Sequence, residues 1–458
     1  MDIQRIKSVY FVGVGGIGMS ALARYFLSIN KCVAGYDRTA TDLTEALNKE
    51  GADIHYEDNV AFIPEYCKDP QQTLVVYTPA IPVSHAELCY FRDNQFEIKK
   101  RAEVLGIITR YSKGICFAGT HGKTTTSSMA AHLLKQSNVD CNAFLGGILK
   151  NYESNLLLSE TSEYTVIEAD EYDKSFHQLN PYIAVITSAD PDHLDIYGTP
   201  EAYRESFEHF TSLIRPDGYL IVKKGIDITP RLQPGVIQYT YSVADGGDFR
   251  AENVSIGNGE ITFDFITPMG AVRDVNLGVP AEVNIENAVA SMAAAWIVGV
   301  TFTELKEAIA SFEGPRRRFD FHIKRDNLVL IDDYAHHPTE LEASILSVKA
   351  LYAGRKVTGV FQPHLYSRTR DFIDEFAKAL SLLDELILLD IYPAREEPIE
   401  GVTSQLILDR VTIKEKQLCS KEELLLVVKN STFDIVLMLG AGDIDCLVAP
   451  VKNILENK

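Results

Sequence analysis

Short apolar runs of strand length alternate with segments whose apolar residues recur every three to four positions. Val9–Val12 is the first run. Behind it Met19, Leu22, Ala23, Phe26 and Leu27 share one helical face, and "KCVAGYD" forms the next run, ending at Asp37. Thr73–Tyr77 and Glu97–Ile98 continue this series, which closes around "RAEVLGIITRYSK". A second series opens with Ile115–Ala118 and a helix from Lys123, where Met129/Leu133 and Ala130/Leu134 pair at i, i+4. Its later strands are Tyr164–Ile167 and Ile183–Thr187. A β-rich stretch runs from about Gly218 to Leu277, and the helical "NIENAVASMAAAWIVG" follows. The third series starts near "FEGPRRRFDF". Its strands are Leu328–Ile331, Val357–Phe361, Leu386–Ile391 and Ile435–Leu439, with an amphipathic helix through Phe372, Phe376, Leu380 and Leu383. This alternation predicts α/β architecture with mainly parallel sheets. The three series place domains at 1–107, 108–314 and 315–458.

Bulk properties narrow the function. At roughly 100–200 residues per domain, 458 residues accommodate two to four domains, each with its own core. A net charge of −20 argues against a long nucleic-acid surface, which needs a basic stripe. The seven cysteines are scattered, odd in number and free of C-x-x-C pairs. They point to a reducing compartment rather than to a disulfide framework or a zinc ribbon. The N-terminus lacks a signal-peptide core, and no run approaches the ~18–20 apolar residues of a membrane span. The expectation is a soluble cytoplasmic protein with no membrane partner.

Two glycine loops carry the first candidate chemistry. Gly13-x-Gly15-x-x-Gly18 follows a strand and opens a helix, and Asp37 ends the next strand. Such glycines let the backbone approach a pyrophosphate at a helix N-terminus. The pattern fits a dinucleotide, another diphosphate ligand, or merely a tight turn. Gly119-Thr-His-Gly-Lys-Thr-Thr sits between a strand and a helix, although Phe117 stands where the common phosphate loop has its first glycine. Here Gly122 frees backbone N–H groups, Lys123 reaches phosphates, and the Thr124 hydroxyl can ligate Mg²⁺.

Acids follow two strands of the same series: Glu168, Asp170, Glu171 and Asp173, then Asp190, Asp192 and Asp195 with His193. They read as metal carboxylates or as solvated loops. The third series opens with Arg316–Arg318 in a row; the group Asp332, Asp333, His336 and His337 and the group His364, Arg368 and Arg370 then follow successive strands. That is the ligand-binding edge of an open parallel sheet, though Pro338 and Thr369 also suit plain helix starts.

Taken in order, "GVGGIGMSALA", "AGTHGKTTT", "EADEYDKSF", "DHLD", "NIENA", "RRRFDF", "DDYAHHPTE", "FQPHLYSRTRDF" and "YPAREEPI" resemble the Mur ligase family of peptidoglycan synthesis over nearly the whole chain. The resemblance implies an N-terminal Rossmann-like UDP-binding domain, a central P-loop ATPase and a Rossmann-like C-terminal domain. It implies that ATP phosphorylates the carboxylate of UDP-N-acetylmuramate and that the amine of L-alanine attacks the acyl phosphate. By position it assigns Gly119, Thr120, His121, Gly122, Lys123, Thr124 and Thr125 to the ATP loop, and Thr124, Glu168 and His193 to magnesium. Asn287, Arg318 and Asp333 fall on adenine, phosphate and ribose contacts; His336, His364 and Arg368 fall where the amino acid meets the reacting phosphate. Gly15, Gly16, Ile17, Gly18, Met19, Ser20 and Asp37 fall on the UDP-sugar side.

The chain departs from the family pattern at Leu365, where a basic residue is usual, at Pro280–Asn284, and at Ser188–Pro191 before His193. A recycling ligase that adds a whole tripeptide is the nearest alternative. A NAD-dependent dehydrogenase and a non-catalytic binding module are the alternatives from other classes.

Overall fold

The N-terminal series folds as β1 (Ser8–Val12), α1 (Ile17–Ser28), β2 (Cys32–Tyr36), α2 (Asp42–Glu50), β3 (Asp53–His55), β4 (Thr73–Tyr77), α3 (Ala86–Asp93), β5 (Glu97–Lys100) and α4 (Arg101–Thr109). The computed structural model describes residues 5–78, 80–110, 112–244, 246–394 and 396–458; the side chain of Asp195, and Arg395 of "YPAREEPI", lie outside the described residues. Strand order is β3-β2-β1-β4-β5, paired in parallel. Every residue of β1 is buried. Val9 and Phe11 enter one core and Tyr10 and Val12 another, so helices cover both faces, as a central parallel strand requires. The strand order turns at β1, and there the glycine loop leaves it.

The second series folds as β6 (Lys113–Ala118), α5 (Lys123–Lys135), β7 (Asn142–Leu149), β8 (Ser154–Leu157), β9 (Tyr164–Glu168), β10 (Pro181–Ile186), α6 (Leu194–Tyr197) and α7 (Pro200–Ser212). Next come β11 (Tyr219–Lys223), β12 (Ile237–Ser242), β13 (Phe249–Gly257), β14 (Glu260–Thr267), β15 (Gly270–Asn276), α8 (Glu282–Ile297) and α9 (Phe302–Ala310). The sheet order is β15-β14-β13-β12-β11-β10-β6-β9-β7-β8. The strand bearing the second glycine loop, β6, thus lies between β10 and β9, parallel to both.

The last series gives β16 (Asp320–Arg325), β17 (Leu328–Asp333), α10 (Pro338–Leu351), β18 (Val357–Phe361), α11 (Tyr366–Asp371), α12 (Ile373–Leu380), β19 (Glu385–Leu388), α13 (Ser404–Arg410), β20 (Glu415–Leu418), α14 (Lys421–Asn430), β21 (Ile435–Leu439) and α15 (Asp445–Glu456). The order is β16-β17-β21-β18-β19-β20, antiparallel only at β16–β17.

Two expectations are corrected here. The strand expected over Leu386–Ile391 stops at Leu388, and Leu389 and Ile391 are buried outside the strand. The helix expected through Phe372–Leu383 breaks at Phe372, whose φ of −123° is not helical; Leu383 packs beyond its end.

The chain divides into two compact units, Met1–Arg250 with Ile266–Ala271 and Asn287–Ala308, and Ala251–Phe265 with Val272–Glu286 and Ile309–Lys458. Both glycine loops and both acid groups belong to the first, and the arginine and histidine groups belong to the second. Among the described residues no helix is long and apolar enough to cross a membrane.

His132 gives α5 a titratable core group. It is 1% exposed, with its Nδ1 3.1 Å from the Tyr152 hydroxyl, and burial pushes the imidazole down to about 4. An unfolded chain holds this group near 6.5. Between those values the unfolded chain takes up a proton that the native chain refuses. Its contribution to stability is therefore full above about pH 6.5 and falls as pH drops toward 4, by up to ~3 kcal/mol. Denaturant unfolding at pH 7 and pH 5 should show this loss, and His132→Gln should shrink it.

Candidate active site

The second glycine loop closes between β6 and α5 because two of its residues cannot carry a Cβ. At Gly119, φ is +147°, and a Cβ would sit 2.1 Å from Thr187 Oγ1 and 2.8 Å from the Ser188 backbone nitrogen. At Gly122, φ is +82°, and a Cβ would meet Asn287 Oδ1 at 2.8 Å. The segment after β10 then braces the loop. Thr187 Oγ1 donates to the His121 carbonyl (2.6 Å), Ser188 Oγ accepts from His121 N–H (2.8 Å), and Thr120 Oγ1 donates to the Asp190 carbonyl (2.6 Å). Asn287 lies beneath the start of α5, where Thr126 donates to it at 3.0 Å.

Lys123 Nζ donates to the Gly119 carbonyl at 2.7 Å and pairs with Glu171 at 2.8 Å. Glu171 is 1% exposed; burial raises its carboxyl, and Lys123 opposes that. Of the four acids from Glu168, at the end of β9, to Asp173, this one turned inward onto the loop lysine, a choice that their spacing does not reveal. Glu168 ends β9 opposite Phe117, and Gly146 leaves it space, since a Cβ there would lie 2.1 Å from Glu168 Oε2. His193 follows β10 with φ +51° and Nε2 4.0 Å from Glu171 Oε1. The loop is thus flanked on both sides by groups suited to a phosphate-bound cation, carboxylate oxygen above all, with one imidazole. Such a set fits Mg²⁺.

The first glycine loop is tied down by Asp37, whose Oδ2 accepts from Gly15 N–H at 2.7 Å. A Cβ on Gly15 would overlap that carboxylate at 2.8 Å. Of the residues expected on the UDP-sugar side, Met19 and Ser20 are 2% and 0% exposed, and Ser20 accepts from Asn155 Nδ2 at 3.0 Å. Their side chains serve the core, because the amphipathic face of α1 begins there, and Met19 Cγ also lies 3.9 Å from where a Cβ on Gly16 would be. Arg101, given no role in the sequence reading, lies against this loop. Its Nη1 would be 2.2 Å from a Cβ on Gly18, and its Nη2 pairs with Asp170 at 3.1 Å. Lys100 pairs with Asp173 at 2.6 Å. Two neighbouring cations thus engage the acids that follow β9, a pairing across 69 and 73 residues that no local motif announces.

Asp37→Ala is expected to raise KM for a ligand of the first loop about tenfold or more with kcat little changed. A charge-assisted hydrogen bond contributes about 1.5–3 kcal/mol, and here it shapes binding rather than chemistry. Initial-rate kinetics check this.

In the second unit the groups gather after β17 and β18. The Arg318 guanidinium lies 4.9 Å from the centre of the Tyr334 ring, and Arg317 lies over the same ring. Arg317 is spent on structure, donating to the Gly440 carbonyl at 2.7 Å and pairing with Asp445 at 3.2 Å. Asp333 accepts from Phe319 N–H at 3.3 Å, and burial raises its carboxyl. His336 Nδ1 lies 2.9 Å from the Tyr334 carbonyl, and its ring faces His364 edge-on at 6.0 Å. Burial, with Arg368 and Arg318 adding to it, lowers the His336 imidazole. Arg368 Nη1 is 3.5 Å from His364 Nδ1. Leu365, where the family has a basic residue, sits at φ +73° with its N–H bonded to the Tyr392 carbonyl at 3.0 Å. So His336, His364, Arg368 and Arg318 are brought together in this unit.

Fold and site define an α/β protein with two glycine loops, each between a parallel strand and a helix, and a histidine–arginine cluster on a further, mainly parallel sheet. Family models match at residues 8–113 (Mur ligase family, catalytic domain), 117–295 (Mur ligase middle domain) and 317–442 (Mur ligase, glutamate ligase domain). A UDP-N-acetylmuramate–L-alanine ligase of Parabacteroides distasonis is 71% identical over 455 residues, covering 99% of this chain and 98% of that one. A relative of the same name from Phocaeicola vulgatus is 61% identical over the full length of both. The crystal structure of the UDP-N-acetylmuramate–alanine ligase of Thermotoga maritima superposes with a TM-score of 0.82 at 28% identity, over 98% of each chain. The murein peptide ligase of Psychrobacter arcticus shares the fold, at TM-score 0.68 and 22% identity over 99% of each chain. The chain belongs to the Mur ligase family.

Proposed function

We propose that this chain is an ATP-dependent ligase that joins L-alanine to the carboxylate of UDP-N-acetylmuramate through an acyl phosphate, with ADP and phosphate as the other products. The observation that carries the reading is the braced loop Gly119–Thr125 with Lys123 held beside it, in a chain 71% identical to a protein of that name. The domains in this reading are 1–107 for the UDP-sugar, 108–314 for ATP and 315–458 for the ligation step.

Phosphoryl transfer depends mostly on positioning and on charge stabilisation. Lys123 supplies a cation at the transferred phosphoryl, and the backbone N–H groups freed by Gly122 cradle the phosphate chain. Magnesium, when bound, neutralises phosphate oxygens, and Thr124, Glu168 and His193 are the residues that would hold it. Asn287, Arg318 and Asp333 serve the nucleotide in this reading. His336, lowered by burial, remains a neutral imidazole at pH 7 and can accept a proton from the attacking amine; His364 and Arg368 hold the amino acid and the reacting phosphate. Gly15–Ser20 and Asp37 hold the UDP-sugar. ATP, UDP-N-acetylmuramate and L-alanine are the small-molecule partners, and the cytoplasm is the compartment.

Competition separates this reading from the tripeptide ligase of the same family. With UDP-N-acetylmuramate and ATP present, equal L-alanine and tripeptide should give the alanine product alone by mass. Turnover of the tripeptide alone would overturn the assignment. In calorimetry UDP-N-acetylmuramate should bind and NAD should not; the reverse would make the first loop a dehydrogenase's.

A further inference from the structure

A second buried polar cluster lies in the first unit, at the ends of β2 and β3 and the start of α3. Glu87 is fully buried, and its Oε2 accepts from the Tyr10 hydroxyl at 2.7 Å. His55 Nε2 is 3.2 Å from Glu87 Oε1, and His85 Nδ1 is 3.2 Å from Asp58 Oδ1. His85 is 6% exposed, yet neither of its ring nitrogens has a hydrogen-bond partner, and its ring packs edge-on against Tyr36 at 4.5 Å. Ligand atoms of Asp58, His85 and Glu87 all lie within 4.8 Å of one another.

We propose that Asp58, His85 and Glu87, with His55 beside them, form a binding site for a divalent transition-metal ion of the zinc type.

Three features carry this. The donors are of the right kind, since imidazole nitrogen and carboxylate oxygen are ordinary zinc ligands. Their spacing suits an ion, because bonds of about 2.0–2.1 Å in a tetrahedron set ligand atoms about 3.3 Å apart; His85 Nδ1 and Asp58 Oδ1 are 3.2 Å apart, and a Glu87 oxygen lies within 4.8 Å of both residues' ligand atoms. The charge is right as well. Among the described residues, Asp58 and Glu87 form ion pairs with histidine alone, so two carboxylates face two imidazoles without a lysine or arginine. A buried imidazole with unmet nitrogens beside a carboxylate is costly unless something accepts its lone pair. A bound ion would take that lone pair and neutralise both carboxylates. It would also clamp the segment after β3 to the start of α3. Asp58 already holds that start, accepting from the backbone N–H groups of Ala86 (2.9 Å) and Glu87 (3.2 Å). The clamp flanks Tyr36, the residue before Asp37, on the side of the first glycine loop. The proposal stands apart from the ligase reading, which gives these four residues no role.

The test is titration of the metal-stripped full-length chain with Zn²⁺ alone in excess Mg²⁺, followed by calorimetry, and with Co²⁺ followed by visible absorption. One equivalent should bind. The Co²⁺ form should show visible bands without a thiolate-to-metal band, which excludes the exposed Cys32 and Cys446. His85→Asn and Glu87→Gln should each weaken binding about 100-fold or more, since even residues behind the ligands cost 10–100-fold. His193→Ala should leave it intact. Unchanged far-UV dichroism and melting of the metal-free variants establish that they fold; Asp58→Asn, at the partly exposed rim, is the reserve should His85→Asn fail to fold. No uptake by the wild-type chain, or uptake retained in the folded variants, would overturn the site and leave a hydrogen-bonded cap on α3.

Discussion

Lys123→Ala is expected to lower alanine-dependent ADP release by about 10²-fold or more, because charge stabilisation at the transferred phosphoryl is the main catalytic effect in such reactions. The substitution also leaves Glu171 buried without its cation, and removing one partner of a buried pair typically costs about 3–5 kcal/mol. The two consequences separate in Lys123→Ala/Glu171→Gln. The double variant should recover most of the lost melting temperature and none of the lost rate. Recovery of both together would mean that Lys123 serves the fold and that the loop's chemistry lies elsewhere. Unchanged turnover in Lys123→Ala would remove the loop from the reaction altogether.

Gly119→Ala should be nearly as damaging by a different route. The methyl group would overlap Thr187 Oγ1, which already donates to the His121 carbonyl, and would press on the Ser188 backbone, which cannot rotate away. Alanine is also strained at a φ of +147°. The loop must shift, and a displacement near 1 Å at a reacting group can cost about 10²-fold in rate. Rate and melting temperature should both fall. A variant within twofold of the wild-type rate would show that the loop path is not what positions the phosphates.

These effects also mark where the sequence was and was not legible. The shape of the glycine loop could be read because it is encoded locally, as a strand, glycines that permit φ above zero, then lysine and threonine opening a helix. The strands Val9–Val12, Thr73–Tyr77, Val357–Phe361 and Ile435–Leu439 were legible for a similar reason, each being a short, mainly apolar or β-branched run that is almost wholly buried. What escaped was pairing at a distance or very short structure. Arg101 reaches Asp170 across 69 residues of chain, Glu171 turned inward out of four closely spaced acids, and β3, with three residues, carries no period at all. The pair β7 and β8 escaped because one holds two consecutive glycines and the other spans four residues. Met19 and Ser20 show the limit of a motif from the other side. A motif names positions, and here the side chains at those positions are buried in the core beside the loop.

The grouping of His336, His364 and Arg368 was expected from their placement after strands, and Arg318 only from the family resemblance. The structure adds that His336 and His364 face one another and that Arg317 of the same triplet is tied to the Gly440 carbonyl instead. Of three consecutive arginines, the neighbouring backbone decides which is structural, and that lies outside any local pattern.

The central claim is that one chain couples ATP cleavage to amide formation between UDP-N-acetylmuramate and L-alanine. Phosphate release measured with ATP, Mg²⁺ and UDP-N-acetylmuramate, with and without L-alanine, tests it most directly. The account predicts release that requires both substrates and matches, one for one, the appearance of UDP-N-acetylmuramoyl-L-alanine. Release indifferent to L-alanine, or L-alanine-dependent release without the sugar nucleotide, would contradict it.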